Sequence, residues 1–148
     1  MAGTHLTITT SELDRLQASV RILADGVRDT STLMPQLGEY LQRSTQERFD
    51  TKTAPHGKAW TDLKHPSLKK HNQNKVLTLH GFLRRGIHSQ VTAPGTVEVG
   101  SNLVYAATHQ YGRGGIPARP FLGLSTTDRQ EITAIVTDWA TELGFRRK

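Results

Sequence analysis

Apolar residues spaced three and four apart mark three helical stretches. From Ser11 to Asp25, Leu13, Leu16, Val20 and Leu23 form a narrow stripe, closer to a two-helix seam than to a broad core face. Ser11 and Asp14 make a capping pair and Gly26 a stop. A second helix is predicted from about Thr32 to Phe49, with Pro35 in its first turn and Leu33, Leu37, Tyr40 and Leu41 on one side. Its second half, Gln42 to Arg48, is polar and is expected to meet water or a partner. The third stretch carries Ile132, Ile135, Val136, Trp139 and Leu143, opened by a capping box of Thr127 and Gln130 and closed by Gly144. Trp139 and Ile135 are expected to pack against a sheet.

Between the helices the period changes. Ile87 to Thr92 and Thr96 to Ser101 alternate, with Ile87, Ser89, Val91, Val97 and Val99 inward, and Ala93-Pro94-Gly95 breaks the run, which is the pattern of a β-hairpin. Val76 to Leu79 reads as a short strand, His80 to Gly86 as a turn or helical turn, and Tyr105 to Tyr111 as one or two helical turns. Asp50 to Pro66 has no period and turns at Pro55–Gly57. Gly112 to Gly115 reads as flexible, and Pro117 to Phe121 as extended, because each proline disfavours helix at the residue before it. The fold class that follows is α+β: a small antiparallel β-sheet packed with N-terminal helices and a C-terminal helix. It forms one domain over residues 1–148, with residues 1–31 as a helical N-terminal arm.

Composition narrows the function. The chain has 148 residues, 35% of them hydrophobic and nine aromatic, so its core is thin and apolar surface is expected to be covered by another copy or a partner. The absence of cysteine excludes a disulfide scaffold, a thiol nucleophile and thiolate metal sites. The sequence carries neither a transmembrane run nor a secretory signal, which points to a soluble protein made in a cytoplasm. The net charge of +6 is unevenly placed: Thr51 to Arg119 holds ten Lys/Arg against Asp62 and Glu98. Such a block fits nucleic acid, an acidic partner or plain solvation. Its densest part, with Lys64, Lys69, Lys70 and Lys75, lacks interleaved aromatics and so is no stacking platform for single strands.

Catalytic patterns are missing. Six of the seven histidines fall between His56 and His109, yet none belongs to a His-Glu-x-x-His helix, and His65, His71, His80 and His88 have no carboxylate beside them. A small nuclease built on His71-Asn72 with His80 or His88 would lack an acidic ligand. There is no Gly-x-Ser-x-Gly elbow and no phosphate-binding glycine loop. No catalytic, metal or cofactor site is therefore expected.

Several local patterns, in order, carry a resemblance. They are Arg48-Phe49, Ala54-Pro55-His56-Gly57-Lys58-Ala59-Trp60, Leu77 to Ile87, Thr96 to Ser101, Tyr105-Ala106-Ala107-Thr108-His109-Gln110-Tyr111-Gly112, and Ala118-Arg119-Pro120-Phe121-Leu122-Gly123-Leu124-Ser125. Together, over about Thr32 to Leu143, they resemble the phage virion morphogenesis family, the tail completion proteins of Mu-like tailed phages. The Tyr-Ala-x-x-His-Gln and Ala-Arg-Pro-Phe-Leu-Gly pair is the most specific part. The family's Pro-Asp-Gly turn is Pro55-His56-Gly57 here and its Thr-Gly-x-Leu is His80-Gly81-Phe82-Leu83; both keep the glycine.

The resemblance implies a non-enzymatic structural role late in virion assembly, at the head–tail junction. It implies a homo-oligomeric ring, with a hexamer as the family type. The implied partners are the tail terminator, tail tube or neck proteins and genomic DNA passing the channel, and no membrane. The protein would sit in the host cytoplasm during assembly and then in the virion. Trp60, Tyr105, Tyr111 and Phe121 are aromatics on turns or loops, and with His109, Gln110 and Arg119 they are candidate oligomer or partner contacts. The same aromatics could instead cap the chain's own core. Lys64, Lys69, Lys70, Lys75, Arg84 and Arg85 are candidate contacts to DNA or an acidic partner. A DNA-binding module remains the alternative, and a small metal-dependent nuclease a more distant one.

Overall fold

The computed structural model describes residues 3–9, 29–64 and 75–143. The helix expected at Ser11 to Asp25, the Gly144 stop, and Lys69, Lys70 and His71 lie outside the described residues.

Three strands form an antiparallel sheet in the order β1-β3-β2, with β1 at Thr4–Thr9, β2 at Ile87–Ala93 and β3 at Thr96–Ser101. The hairpin β2–β3 turns at Pro94-Gly95 as its alternation predicts, with a bulge between Val91 and Ala93. Within the arm of residues 1–31 expected to be helical, Thr4 to Thr9 is instead a strand paired to β3, with Leu6 opposite Val99 and Ile8 opposite Val97. Its signal lies in the residue types: Thr-His-Leu-Thr-Ile-Thr alternates and is rich in β-branched residues. His5 and His88 flank Gly100 in one row across the sheet, and their rings meet 6.1 Å apart over it. A Cβ at Gly100 would stand 2.5 Å from the Cα of His5, so only glycine admits β1 at this point.

One helix, α1 (Leu33–Thr51), organises everything else. Its Leu33, Met34, Leu37, Leu41, Thr45, Arg48 and Phe49 are buried. Gly38 lets it lie close on the sheet, since a Cβ there would be 2.8 Å from Val97 Cγ2 and 3.1 Å from Ser89 Cβ. The polar second half of α1, expected to meet water or a partner, does so only in part: Arg43 and Glu47 are exposed, while Thr45 and Arg48 are buried beside the fully enclosed Phe49. Gln42 and Gln46 bond to the free edge of β2. Gln42 Oε1 accepts from Ser89 N–H at 2.9 Å, and Gln46 Nε2 donates to Ile87 O at 3.4 Å. That covers part of a strand edge that would otherwise offer itself to another chain.

The remaining elements are short α2 (Phe82–Arg85), α3 (Ala106–Tyr111) and the C-terminal α4 (Thr126–Glu142). Val76 to Leu79 forms turns and not the expected strand, and the left-handed φ of 57° at Leu77 is incompatible with extended backbone. α4 is capped earlier than expected. Ser125 Oγ accepts from Asp128 N–H at 2.9 Å and Asp128 Oδ2 accepts from Ser125 N–H at 2.8 Å, so the box is Ser125–Asp128 and not Thr127–Gln130. α4 packs antiparallel on α1, with Asp128 beside Arg48 at its start and Trp139 Nε1 donating to Thr32 Oγ1 at 3.0 Å near its end. Trp139 is buried as expected, but against α1 and not the hairpin sheet, because α1 already covers the inner sheet face. Ile135 is half-buried and Leu143 exposed.

Asp128 holds α1 and α4 together. Tyr40 Oη and Ser44 Oγ donate to its Oδ1, and the buried Arg48 Nη2 donates to its Oδ2. Burial alone would push the Asp128 carboxyl up. The hydrogen bonds from Ser44 and Ser125 and the charge of Arg48 outweigh that and hold it below its ordinary value. Asp128→Ala strands the Arg48 guanidinium in the interior and removes the partner of the Ser125 cap. Loss of one member of a buried ion pair costs about 3–5 kcal/mol, so urea unfolding should show a destabilisation of that order. A loss below about 1 kcal/mol would mean that the pair behaves as an exposed one.

Candidate interaction site

The loops at the C-terminal end of α1 gather most of the sequence-predicted contact residues. Phe49 supplies the floor: its ring lies 5.3 Å from Trp60 and 5.4 Å from Phe121. Trp60 arrives on a turn closed by the Thr53–Ala59 bridge and by Trp60 N–H donating to Lys52 O at 2.8 Å. Its Nε1 then donates to Pro120 O at 2.7 Å. The segment 117–122 is extended, as its prolines require, and it is tied down from several sides. Arg48 Nη1 donates to Phe121 O at 2.7 Å, and Arg119 N–H donates to His109 O at 2.7 Å.

Gln110 is the clamp between α3 and this segment. Its Oε1 accepts from both Phe121 N–H and Leu122 N–H at 3.0 Å, and its Nε2 donates to Leu122 O at 3.2 Å. Arg119 turns inward too: Nε donates to Thr61 O at 2.7 Å and Nη2 to Asp62 O at 3.1 Å. Burial lowers the Arg119 guanidinium from its ordinary value, and the Asp62 carboxylate opposes that.

The predicted contact residues therefore divide. Trp60 (6% exposed), Phe121 (0%) and Arg119 (5%) are built into the protomer, so they are not free surface anchors on the isolated chain. Gln110 is half-buried and fully engaged. Tyr111 (72%) and Tyr105 (42%) stand outside. His109 lies between them, edge-on to Tyr105 at 6.0 Å, with its Nδ1 buried and without a hydrogen-bond partner. Burial, reinforced by the Arg119 charge, lowers the His109 pKa and keeps the ring neutral near pH 7. The Gly112–Gly115 run, expected to be flexible, is a tight turn in which Arg113 and Ile116 exchange both backbone hydrogen bonds.

Several described members of the basic block have partners within the chain. Lys64 Nζ donates to Gly115 O at 3.0 Å and Arg84 pairs with Asp50 at 3.1 Å. Arg85 donates to His80 O at 2.9 Å and lies 5.2 Å over the Phe82 ring, while Lys75 is exposed. The roles that sequence reasoning missed are those of Arg48, Ser44 and Asp128. Arg48 and Ser44 are marked only as part of a polar helix half, and Asp128 by its place three residues after Ser125, the spacing of a capping box. Among the described residues, no group of three His, Asp or Glu side chains is placed to hold a metal ion, and no helix is long and apolar enough to cross a membrane.

Residues 11–140 match the model of the phage virion morphogenesis family. The chain is 32% identical over 136 residues to the "Putative capsid assembly protein G" of Escherichia phage Mu, covering 82% of this chain and 85% of that protein. It is 29% identical over 124 residues to the "Mu-like prophage FluMu G protein 1" of Haemophilus influenzae, covering 79% and 84% respectively. No solved structure matches the chain.

Gln110 and Tyr111 are sequence neighbours with opposite duties, which makes them a sharp pair. Gln110→Ala leaves two inward N–H groups unpaired, at about 1–3 kcal/mol for each, so its urea midpoint should fall clearly. Tyr111→Ala should leave the midpoint unchanged. Equal effects would contradict the division into clamp and surface. A pH scan tests His109. A neutral native ring with a lowered pKa contributes stability above the free-histidine value near 6.5, and that stability is lost as the pH falls through this value toward the folded one. The melting temperature should drop between about pH 7 and pH 5, and more steeply for the parent than for His109→Gln. Identical slopes would show that His109 does not contribute.

Proposed function

The chain belongs to the phage virion morphogenesis family, and from that premise we propose that it completes the phage tail or neck at the head–tail junction as a homo-oligomeric ring. Its part in building a phage virion follows from membership of the family. The finer reading is a non-enzymatic ring subunit whose partners are the tail terminator, tail tube or neck proteins, with genomic DNA passing through the ring. It would act in the host cytoplasm during assembly and remain in the virion. The Mu relative is named for capsid assembly, and a ring at the junction would meet the capsid on one side and the tail on the other.

The observation that carries this reading is the division of labour in the loops. The motif pair Tyr105–Gly112 and Ala118–Ser125, which carries the family resemblance, is spent on the protomer's own framework through Gln110, Arg119 and the carbonyl oxygens of His109, Pro120 and Phe121. What that framework presents outward is apolar and aromatic: Tyr105, Tyr111 and Val104. A scaffold that holds exposed aromatics on rigid loops supports contact with other proteins.

Light scattering over a range of concentrations, with electron imaging of the purified protein, tests the ring. The expected result is a mass of several protomers and closed rings. A single-protomer mass at every concentration and salt would overturn the self-assembling ring. Loss of the gene from the phage is expected to leave heads and tails unjoined. Joined, infectious particles without it would overturn the assignment to the junction.

A further inference from the structure

Resting on the ring reading, we infer that successive copies join head to tail, with the rim formed by Phe82, Arg85, Val104 and Tyr105 of one copy seated on the outer face of α4 of the next. The rim exposes large apolar side chains. Phe82 is 59% exposed and Val104 75%, and Tyr105 follows Val104 directly. Leu103 lies where a Cβ on Gly86 would stand, at 2.9 Å, which brings the chain leading into Val104 and Tyr105 against the end of α2. Arg85 lies over the Phe82 ring and adds a cation to the apolar edge.

The charge distribution selects the occupant. Among the described residues α1 and α4 carry seven acids, Glu39, Glu47, Asp50, Asp128, Glu131, Asp138 and Glu142, against Arg43, Arg48 and Arg129. The described residues from 52 to 119 carry eight Lys/Arg, all on loops or on α2 and none on a strand, against Asp62 and Glu98. Each copy is thus acidic on its two long helices and basic on α2 and its loops. A two-fold contact through either side would bring like charges together, whereas a head-to-tail contact brings opposite ones together, and only a contact of this kind generates a ring. On α4, Glu131, Asp138 and Glu142 are exposed, and their spacings of seven and four put them on one face. Ala134 lies between them on that face, leaving room for an aromatic rim. Arg85 then meets the carboxylate row while Phe82 and Val104 cover its short apolar centre.

Charge exchange tests the pairing. Arg85→Glu reverses the rim, and Glu131→Lys with Asp138→Lys reverses the stripe. Each variant alone should need at least about tenfold more protein to assemble, with an unchanged circular dichroism spectrum because all three sites are exposed. An equimolar mixture of the two should assemble again, since each reversed rim then meets a reversed stripe. A parent that never assembles would remove the ring reading itself. A parent that assembles, with variants that assemble equally well or with a mixture that fails to recover, would overturn this contact while leaving the ring intact.

Discussion

A buried guanidinium fixes this fold. Arg48 sits in the interior near the end of α1 with one nitrogen on Asp128 and another on Phe121 O. A charge taken out of water is tolerated only when it is paired and its remaining donors are satisfied. Meeting that demand brings three parts of the chain to one place: the second half of α1, the start of α4 and the extended segment before it. Asp128 serves twice, as counter-ion and as the third residue of the helical cap. The Ser125 N–H that would otherwise go unpaired and the guanidinium that would otherwise go uncompensated therefore depend on one carboxylate.

From this node the loop architecture follows. Once Phe121 O is held, the Phe121 ring lies against Phe49, which also carries Trp60, and Pro120 O is in reach of the indole N–H. Gln110 closes the arrangement from the α3 side by taking the two N–H groups that an extended segment cannot satisfy alone. The aromatic residues nearest to the node are consumed by the core. Those displaced from it, Tyr105, Tyr111 and Phe82, are left on the outside together with Val104.

The hairpin, α1 and α4 are legible in the sequence because each buries a face whose period appears in the residue types, as with Val97 and Val99 or Ile132, Val136 and Trp139. β1 carries the same alternation, but a six-residue threonine-rich run ahead of a strong helical stripe reads as part of a helical arm. The inward turn of Arg48, Gln110 and Arg119 is not legible. A polar side chain is buried only when a distant partner meets it, and the partners lie 80 residues away for Arg48 and 58 for Arg119. For the same reason Trp60 and Phe121 are equally readable as interface anchors or as core: their surroundings are made by loops that carry no period.

If Arg48–Asp128 welds the motif loops and the helical core into a single cooperative unit, native-state hydrogen exchange reads it directly. The amides of Arg119, Phe121 and Leu122, and that of Asp128 at the cap, should exchange only through the same opening that releases the amides of α1 and β3, with the same dependence on denaturant. Loop amides that exchange at low denaturant while α1 and β3 remain protected would contradict this, because the loops would then be an independent and weaker unit that the buried ion pair does not join to the core.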